Sequence, residues 1–206
     1  NYDFISFNDA LDALNVASVC GDVTFEVASG TYYETLEINE IPGVDSLNTV
    51  TFTSMSGDSI DVIVEGSPGS SSSGVLFLNE ADYITFSHMT FKVSQVATYG
   101  RVVYFDGGAN HNKILNCVIK TLDNTSSNFT GIYSSGSEDS YNEFRNNHIQ
   151  NGYYGIYWRG SSTNTPKQAS VFDHNIIEDF YYYGMYFYYN DSLIVTDNKI
   201  YNRLNS

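Results

Sequence analysis

Four segments in the second half of the chain align without a gap: residues 112–119, 142–149, 170–177 and 193–200, with an earlier relative at 84–91. In that register Phe86, Ile114, Phe144, Phe172 and Val195 share one column, and Phe91, Ile119, Ile149, Ile177 and Ile200 share another. The second column advances by 28, 30, 28 and 23 residues. A third column reads Met89, Cys117, Asn147, Asn175 and Asn198, and a separate echo runs through Gly131-Ile132-Tyr133, Gly155-Ile156-Tyr157 and Gly184-Met185-Tyr186. Short alternating apolar pairs, separated by Asn and Gly turns, describe the coils of a parallel β-solenoid; helical repeats would space their apolar residues by 3.6. Coils stack ~4.8 Å apart, so like sits above like, and an Asn in each coil can pass hydrogen bonds along the turn. Cys117 and Met89 in the Asn column mark that position as inward-facing.

The N-terminal third fits the same pattern. Val23, Phe25 and Val27 alternate, Gly30-Thr31 is expected to turn the chain, and Leu36 and Ile38 alternate again. Val50 and Phe52, then Ile60, Val62 and Val64, then Val75, Phe77, Ile84 and Phe86 continue inward, with Val102, Val103 and Phe105 before the clear repeats. Ser6-Phe7-Asn8-Asp9 reads as a capping box, and Phe7, Ala10, Leu11 and Leu14 mark one face of a short helix over residues 6–16. That helix would plug the first coil, whose edge is otherwise open. Nothing comparable follows Ile200-Tyr201, so residues 1–206 are expected to form one all-β domain, uncapped at its C-terminal end and part of a longer protein. The Ser/Gly run at 67–74 and the polar insertions at 121–130, 134–140 and 160–167 are loops rather than linkers.

Charge narrows the function classes. Nine Lys and Arg against 24 Asp and Glu give a net charge of −15, which excludes nucleic acid and an anionic membrane surface as partners. No apolar run reaches the ~20 residues of a membrane span, so no membrane insertion is expected. Aromatics at 16% want burial, which excludes disorder. An acidic, aromatic chain rich in Ser, Gly and Asn suits a secreted or cell-surface location. Cys20 and Cys117 fall about three coils apart, ~14 Å, beyond the ~7 Å limit of a disulfide, so they should not pair.

The order of cap helix, residues 21–27, residues 30–34 and Ile41-Pro42-Gly43, continued by residues 48–52 and 81–86, resembles the right-handed parallel β-helix modules in large surface proteins of Bacteroidota. The resemblance implies a right-handed β-helix, export by the type IX system and a sorting domain elsewhere in the parent chain. Residues 30–34 are also similar to the first strands of pectin methylesterases. The likeness ends there: the only Asp-Phe-Ile triplet is Asp3-Phe4-Ile5, ahead of the cap, and the glycine-flanked Arg-Pro-Trp element is missing. The paired aspartates and Gly-His-Gly of polygalacturonases and the calcium signature of pectate lyases are missing too.

Several residue groups could carry chemistry. Leu115, Arg145, Asp173 and Thr196 share an outward column, with Val118, His148, Ile176 and Lys199 in another nearby. Arg145 above Asp173, with His148 and Glu143 close, could bind a uronic acid and remove a proton; a coil-to-coil salt bridge beside a surface histidine has the same pattern. Tyr153 and Tyr154 should neighbour Tyr182 and Tyr183, and Trp158 should align with Phe187. Rings forced outward by alternation are platforms for sugar faces, whereas rings kept together form a ladder that stabilises the sheet. Asp173, Glu178 and Asp179, or Asp58 and Asp61, could hold Ca2+, although no loop has calcium-ligand spacing and no other metal or cofactor is implied. The resemblance makes Ser46, Ser59 and Ser192, each in an Asp-Ser-aliphatic triplet, candidate O-glycosylation sites; Asn124, Asn128 and Asn190 open sequons that matter only in a eukaryotic source.

These features favour a non-enzymatic stalk or adhesin segment that contacts extracellular or surface glycans through its Tyr-rich side. A carbohydrate-active enzyme, a lyase or esterase using Arg145, His148 and Asp173, is one alternative. A self-associating filament subunit is the other.

Overall fold

Residues 3–202, except 96 and 137, are described by the computed structural model. Ten residues, Phe7–Val16, form the cap helix. Ser6 is its N-cap and accepts the Asp9 N–H at 3.1 Å. The Glu34 carboxylate reaches across to accept the Phe7 and Asn8 N–H groups at 3.2 and 2.9 Å, which fixes the positive end of the helix to the first coil. Phe7, Ala10, Leu11 and Leu14 are buried, and Phe7 packs on Tyr32 and Phe52 at 5.0 and 5.8 Å.

Behind the cap the chain winds as a right-handed parallel β-helix of about six turns. Each complete turn gives one short strand to each of three parallel sheets. The first sheet runs from Val23–Val27 to Ile194–Thr196, the second from Gly30–Tyr32 to Lys199–Tyr201, and the third from Leu36–Ile38 to Tyr183–Tyr188. The paired columns coincide with the sequence register. Ile114 sits between Phe86 and Phe144, Ile119 between Phe91 and Ile149, and Arg145 between Leu115 and Asp173. Phe25, Phe52 and Phe86 stack down the core at 4.6 and 5.0 Å, and Phe144 on Phe172 at 4.7 Å. The glycines of the Gly-Ile-Tyr echo are required by close approach: a Cβ on Gly155 would lie 2.3 Å from Ile177 Cγ2 and 2.6 Å from the Gly184 carbonyl.

Three placements differ from the sequence reading. Gly30 and Thr31 lie within a strand, Gly30–Tyr32, because the chain turns before them at Ala28-Ser29. Ile60 is 67% exposed in the turn preceding Val62–Gly66, since the inward alternation starts only at Val62. Phe77 faces outward, and Leu76 and Leu78 fill the core instead, because the strand Leu76–Asn79 takes the opposite parity.

Asparagine ladders close the corner between the first and second sheets and the corner preceding the first. In the anticipated ladder, Asn147 accepts the Cys117 N–H at 3.0 Å and donates to the Ile114 carbonyl at 2.8 Å. Asn175 and Asn198 repeat both bonds one and two coils on. The other ladder, Asn112 and Asn142, accepts the Ile84 and Asn112 N–H groups, and Ser170 accepts the Asn142 N–H. Loops are fastened from inside as well. The buried Asp139 carboxylate accepts the Gly108 and Ala109 N–H groups at 3.0 Å each, the Ser134 hydroxyl, and Lys167 Nζ at 2.9 Å. Cys117 is buried, Cys20 is exposed, and both are free, as the register requires.

In the last coil Val195 and Ile200 are 44% and 47% exposed, whereas their column partners from Phe86 and Phe91 onward are buried. The expectation of an uncapped C-terminal end falls partly on residues 203–206, which lie outside the described residues. No helix of the described chain is long and apolar enough to cross a membrane.

Candidate functional site

Tyrosines gather where the chain enters the third sheet. Strand Tyr154–Arg159 pairs with Tyr183–Tyr188 so that Tyr154 meets Tyr183, Tyr157 meets Tyr186, and Trp158 meets Phe187. The middle of this sheet carries an outward aromatic column that sequence reading did not single out: Phe77, Tyr104, Tyr133, Tyr157 and Tyr186. Its signal was the third letter of the Gly-Ile-Tyr echo. Tyr133, Tyr157 and Tyr186 stack at 5.1 and 4.9 Å, which covers both faces of Tyr157 and one face each of Tyr133 and Tyr186. The Arg101 guanidinium caps the Tyr133 ring at 3.6 Å.

The flank beside that column is different. Tyr153 meets Tyr181 and Tyr182 at 5.5 and 5.2 Å with planes tilted by 37° and 33°, which leaves wedges of ring face open. Tyr181, Tyr182 and Tyr183 are 50, 52 and 43% exposed, and Tyr153 and Tyr154 are half-buried. Burial first, and neighbouring tyrosines after it, push the Tyr154 hydroxyl up to about 12, so it stays a neutral donor. This flank offers ring faces rimmed by hydroxyls.

Two of the anticipated ligand-contacting aromatics are not on it. Trp158 is fully buried among Phe105, Phe144 and Phe172, with Lys167 Nζ 5.0 Å from its ring, and so offers no face to a ligand. Alternation along the strand turns it inward, opposite to Tyr157. Phe187 follows the same parity and packs on Phe172 at 4.9 Å, half-buried.

Arg145, His148 and Asp173 do not converge as a catalytic group. Arg145 bonds Asp173 at 2.6 Å and Glu143 at 2.9 Å on the first sheet. His148 lies on the second sheet, across the corner, and its Nε2 is engaged by Glu178 at 2.8 Å. The proton-transfer pairing expected of His148 is therefore replaced by a coil-to-coil ion pair, Arg145–Asp173, and a separate His148–Glu178 hydrogen bond. Asp173 also accepts the Thr196 hydroxyl and pairs with His174 Nδ1 at 2.7 Å. The proposed calcium groups separate for the same reason, since Glu178 belongs to the second sheet and is held by His148 and Gln150. The ligand atoms of Asp173, His174 and Asp197 do lie within 4.8 Å of one another, but Arg145 already supplies Asp173 with a positive charge. Asp58 instead accepts the Ile60 N–H within its own turn. Of the serines, Ser46 and Ser192 are exposed, whereas Ser59 is half-buried. Among the sequon asparagines, Asn190 spends its amide on the Trp158 and Tyr188 carbonyls.

The carboxylates in these contacts are expected to make the coils from Glu143 onward acid-sensitive. Asp173 is held below the usual carboxylate range by the Thr196 hydroxyl, then by His174 and Arg145. Burial pushes Glu143 and Glu178 up, but Arg145 and Lys113 at the first, and Gln150 and His148 at the second, outweigh it and leave both lowered. Groups with depressed folded values contribute stability above their unfolded pKa, about 4, and lose it as pH falls through the folded values. The urea midpoint should therefore hold from pH 7 to about 5 and fall steeply below 4. Arg145→Gln should flatten that fall; an unchanged slope would mean the pairs are solvated.

The model of the right-handed β-helix region matches residues 73–206. No curated protein matches the chain. Among solved structures it is similar to the pectin methylesterase from Aspergillus niger in deglycosylated form, with a TM-score of 0.57 and 13% identity over 96% of this chain and 82% of that one. At that identity the likeness is one of fold.

Proposed function

The chain belongs to the right-handed β-helix family, and on that premise we propose that it is a carbohydrate-binding segment of a secreted or surface-held protein, contacting glycan chains along Tyr153, Tyr154, Tyr181, Tyr182 and Tyr183. The observation that carries this reading is the set of tilted, half-exposed rings at the entrance to the third sheet. Ring faces left open by tilt can take the C–H face of a sugar, and the hydroxyl rims can bond its oxygens. The net charge of −15 favours neutral glycans over uronates. A right-handed β-helix that resembles the Bacteroidota modules suits an exported, stiff, adhesin-like element, and exposed Ser46 and Ser192 are its proposed O-glycan acceptors.

Turnover of an acidic polysaccharide at Arg145, His148 and Asp173 is disfavoured by the separate engagement of those three side chains. The test is a glycan array with the protein and its Tyr182→Ala/Tyr183→Ala variant, with folding checked by circular dichroism. The expected result is specific binding to neutral glycans that drops at least about tenfold in the variant, a few ring contacts' worth. Binding to no glycan, or equal binding by both proteins, would overturn the assignment.

A further inference from the structure

The corner that leads into the first sheet carries an aromatic stack on left-handed residues. Its successive residues are Tyr83, His111, Tyr141, Ala169 and Ser192, all left-handed, with φ of 56°, 58°, 58°, 43° and 56°. The corner between the first and second sheets uses His88, Asn116, Asn146, His174 and Asp197 at comparable φ, the residue types that tolerate that conformation best. Tyrosine is not such a type, so two of them here are a local cost maintained by their surroundings.

Those rings form a flat stack. Tyr83 and His111 lie 4.6 Å apart with planes 1° apart, and His111 and Tyr141 lie 4.9 Å apart at 5°. The stack stops at Tyr141, which is 47% exposed, because the next coil offers only the Ala169 methyl. One ring position at coil spacing is thus left unfilled over Tyr141. Beside it opens a cleft of about 690 Å³, walled by the 107–108 turn, residues 138–140 and residues 164–168. These walls are preorganised, since the buried Asp139 holds the Gly108 and Ala109 backbone and Lys167 together.

Polar groups around the cleft are acceptor-rich. Asp82 uses one carboxylate oxygen on the Asn110 N–H at 2.6 Å, and Glu138 is exposed on the rim. Asn164 and Gln168 add amides, and no lysine or arginine lines the cleft among the described residues. A carboxylate ligand over Tyr141 would meet the Glu138 charge, with Asp82 further along the cleft, whereas sugar hydroxyls would find a charged acceptor and two amides.

We propose that this cleft is a second ligand site, which takes a single uncharged pyranose ring stacked on Tyr141 in the position that Ala169 leaves open, its hydroxyls bonded by Glu138, Asn164 and Gln168 from the same and the next coil. It is separate from the tyrosine flank, at the opposite end of the third-sheet strands. It selects against uronates.

Saturation-transfer NMR tests this with methyl glucoside, methyl galactoside, methyl mannoside and galacturonic acid as probes. At least one neutral glycoside should bind and galacturonic acid should not. Tyr141→Ala should weaken that binding roughly tenfold by removing the platform. Ala169→Tyr should abolish it by completing the stack, at a corner that already accepts tyrosine twice. All proteins in this test carry Tyr182→Ala/Tyr183→Ala, which removes the flank's contribution, so failure here and failure of the flank assignment give different results. Binding of none of the neutral probes in that background, preference for galacturonic acid, or full binding after Ala169→Tyr would each overturn the proposal.

Discussion

Replacing Lys167 with methionine is expected to destabilise the protein by about 3–5 kcal/mol, the usual cost of stranding one partner of a buried ion pair. Both side chains of the Asp139–Lys167 pair are wholly shielded from solvent, with Nζ and Oδ2 2.9 Å apart. Burial drives the lysine pKa down and Asp139 opposes it, so the ammonium depends on that carboxylate. Methionine matches the stem in volume and preserves the packing against Trp158, which isolates the loss of charge. What remains is a carboxylate in a dry site, still bonded to two backbone N–H groups and the Ser134 hydroxyl. Urea unfolding followed by circular dichroism reads the cost, and Asp139→Asn with Lys167→Met should recover much of it because both charges go together. A cost under about 1 kcal/mol would place the pair with ordinary surface bridges.

That pair also shows where sequence reading stops. Asp139 and Lys167 sit in two polar insertions, 134–140 and 160–167, which interrupt the repeat and look like solvated loops. Repeat registration says nothing about how one insertion folds onto another, and the cleft walled by both was invisible for the same reason. The coils themselves were legible because stacking forces identical positions into columns: Phe144 over Phe172, Ile149 over Ile177, Asn147 over Asn175.

Parity was harder to read than register. Where the apolar pattern alternates cleanly, as at Val50 and Phe52, inside and outside follow directly. At Val75-Leu76-Phe77-Leu78 four apolar residues run together, and only contacts with Leu36 and Val103 on adjacent coils decide which face Phe77 takes. Trp158 poses the same problem: in the run Tyr153-Tyr154-Gly155-Ile156-Tyr157-Trp158, ring size does not reveal direction. The second ladder was within reach, since Asn112, Asn142 and Ser170 head three of the aligned segments. Tyr83, His111 and Tyr141 were not, because left-handed corners are expected to carry Asn or Gly.

Asn147→Ala should cost about 2–5 kcal/mol, and the same change at Asn198 should cost less than about 1, although both belong to one ladder. Asn147 is 1% exposed. Its amide accepts the Cys117 N–H and donates to the Ile114 carbonyl and the Asn175 side chain, so alanine leaves two buried backbone groups unpaired. Each such group costs about 1–3 kcal/mol where water cannot enter. Asn198 makes the equivalent bonds to the Asn175 N–H and the Phe172 carbonyl. It is only half-buried, and at the last coil water can replace what alanine removes. The pair of variants therefore separates two accounts of the Asn column. If the asparagines act by satisfying buried corners, the penalty must follow burial. If they act by fitting the left-handed corner, both substitutions should cost the same; yet the left-handed residues are their neighbours Asn146 and Asp197, at φ of 55° and 51°. Urea midpoints for the two variants, with m-values unchanged, decide it: equal shifts would overturn the burial account.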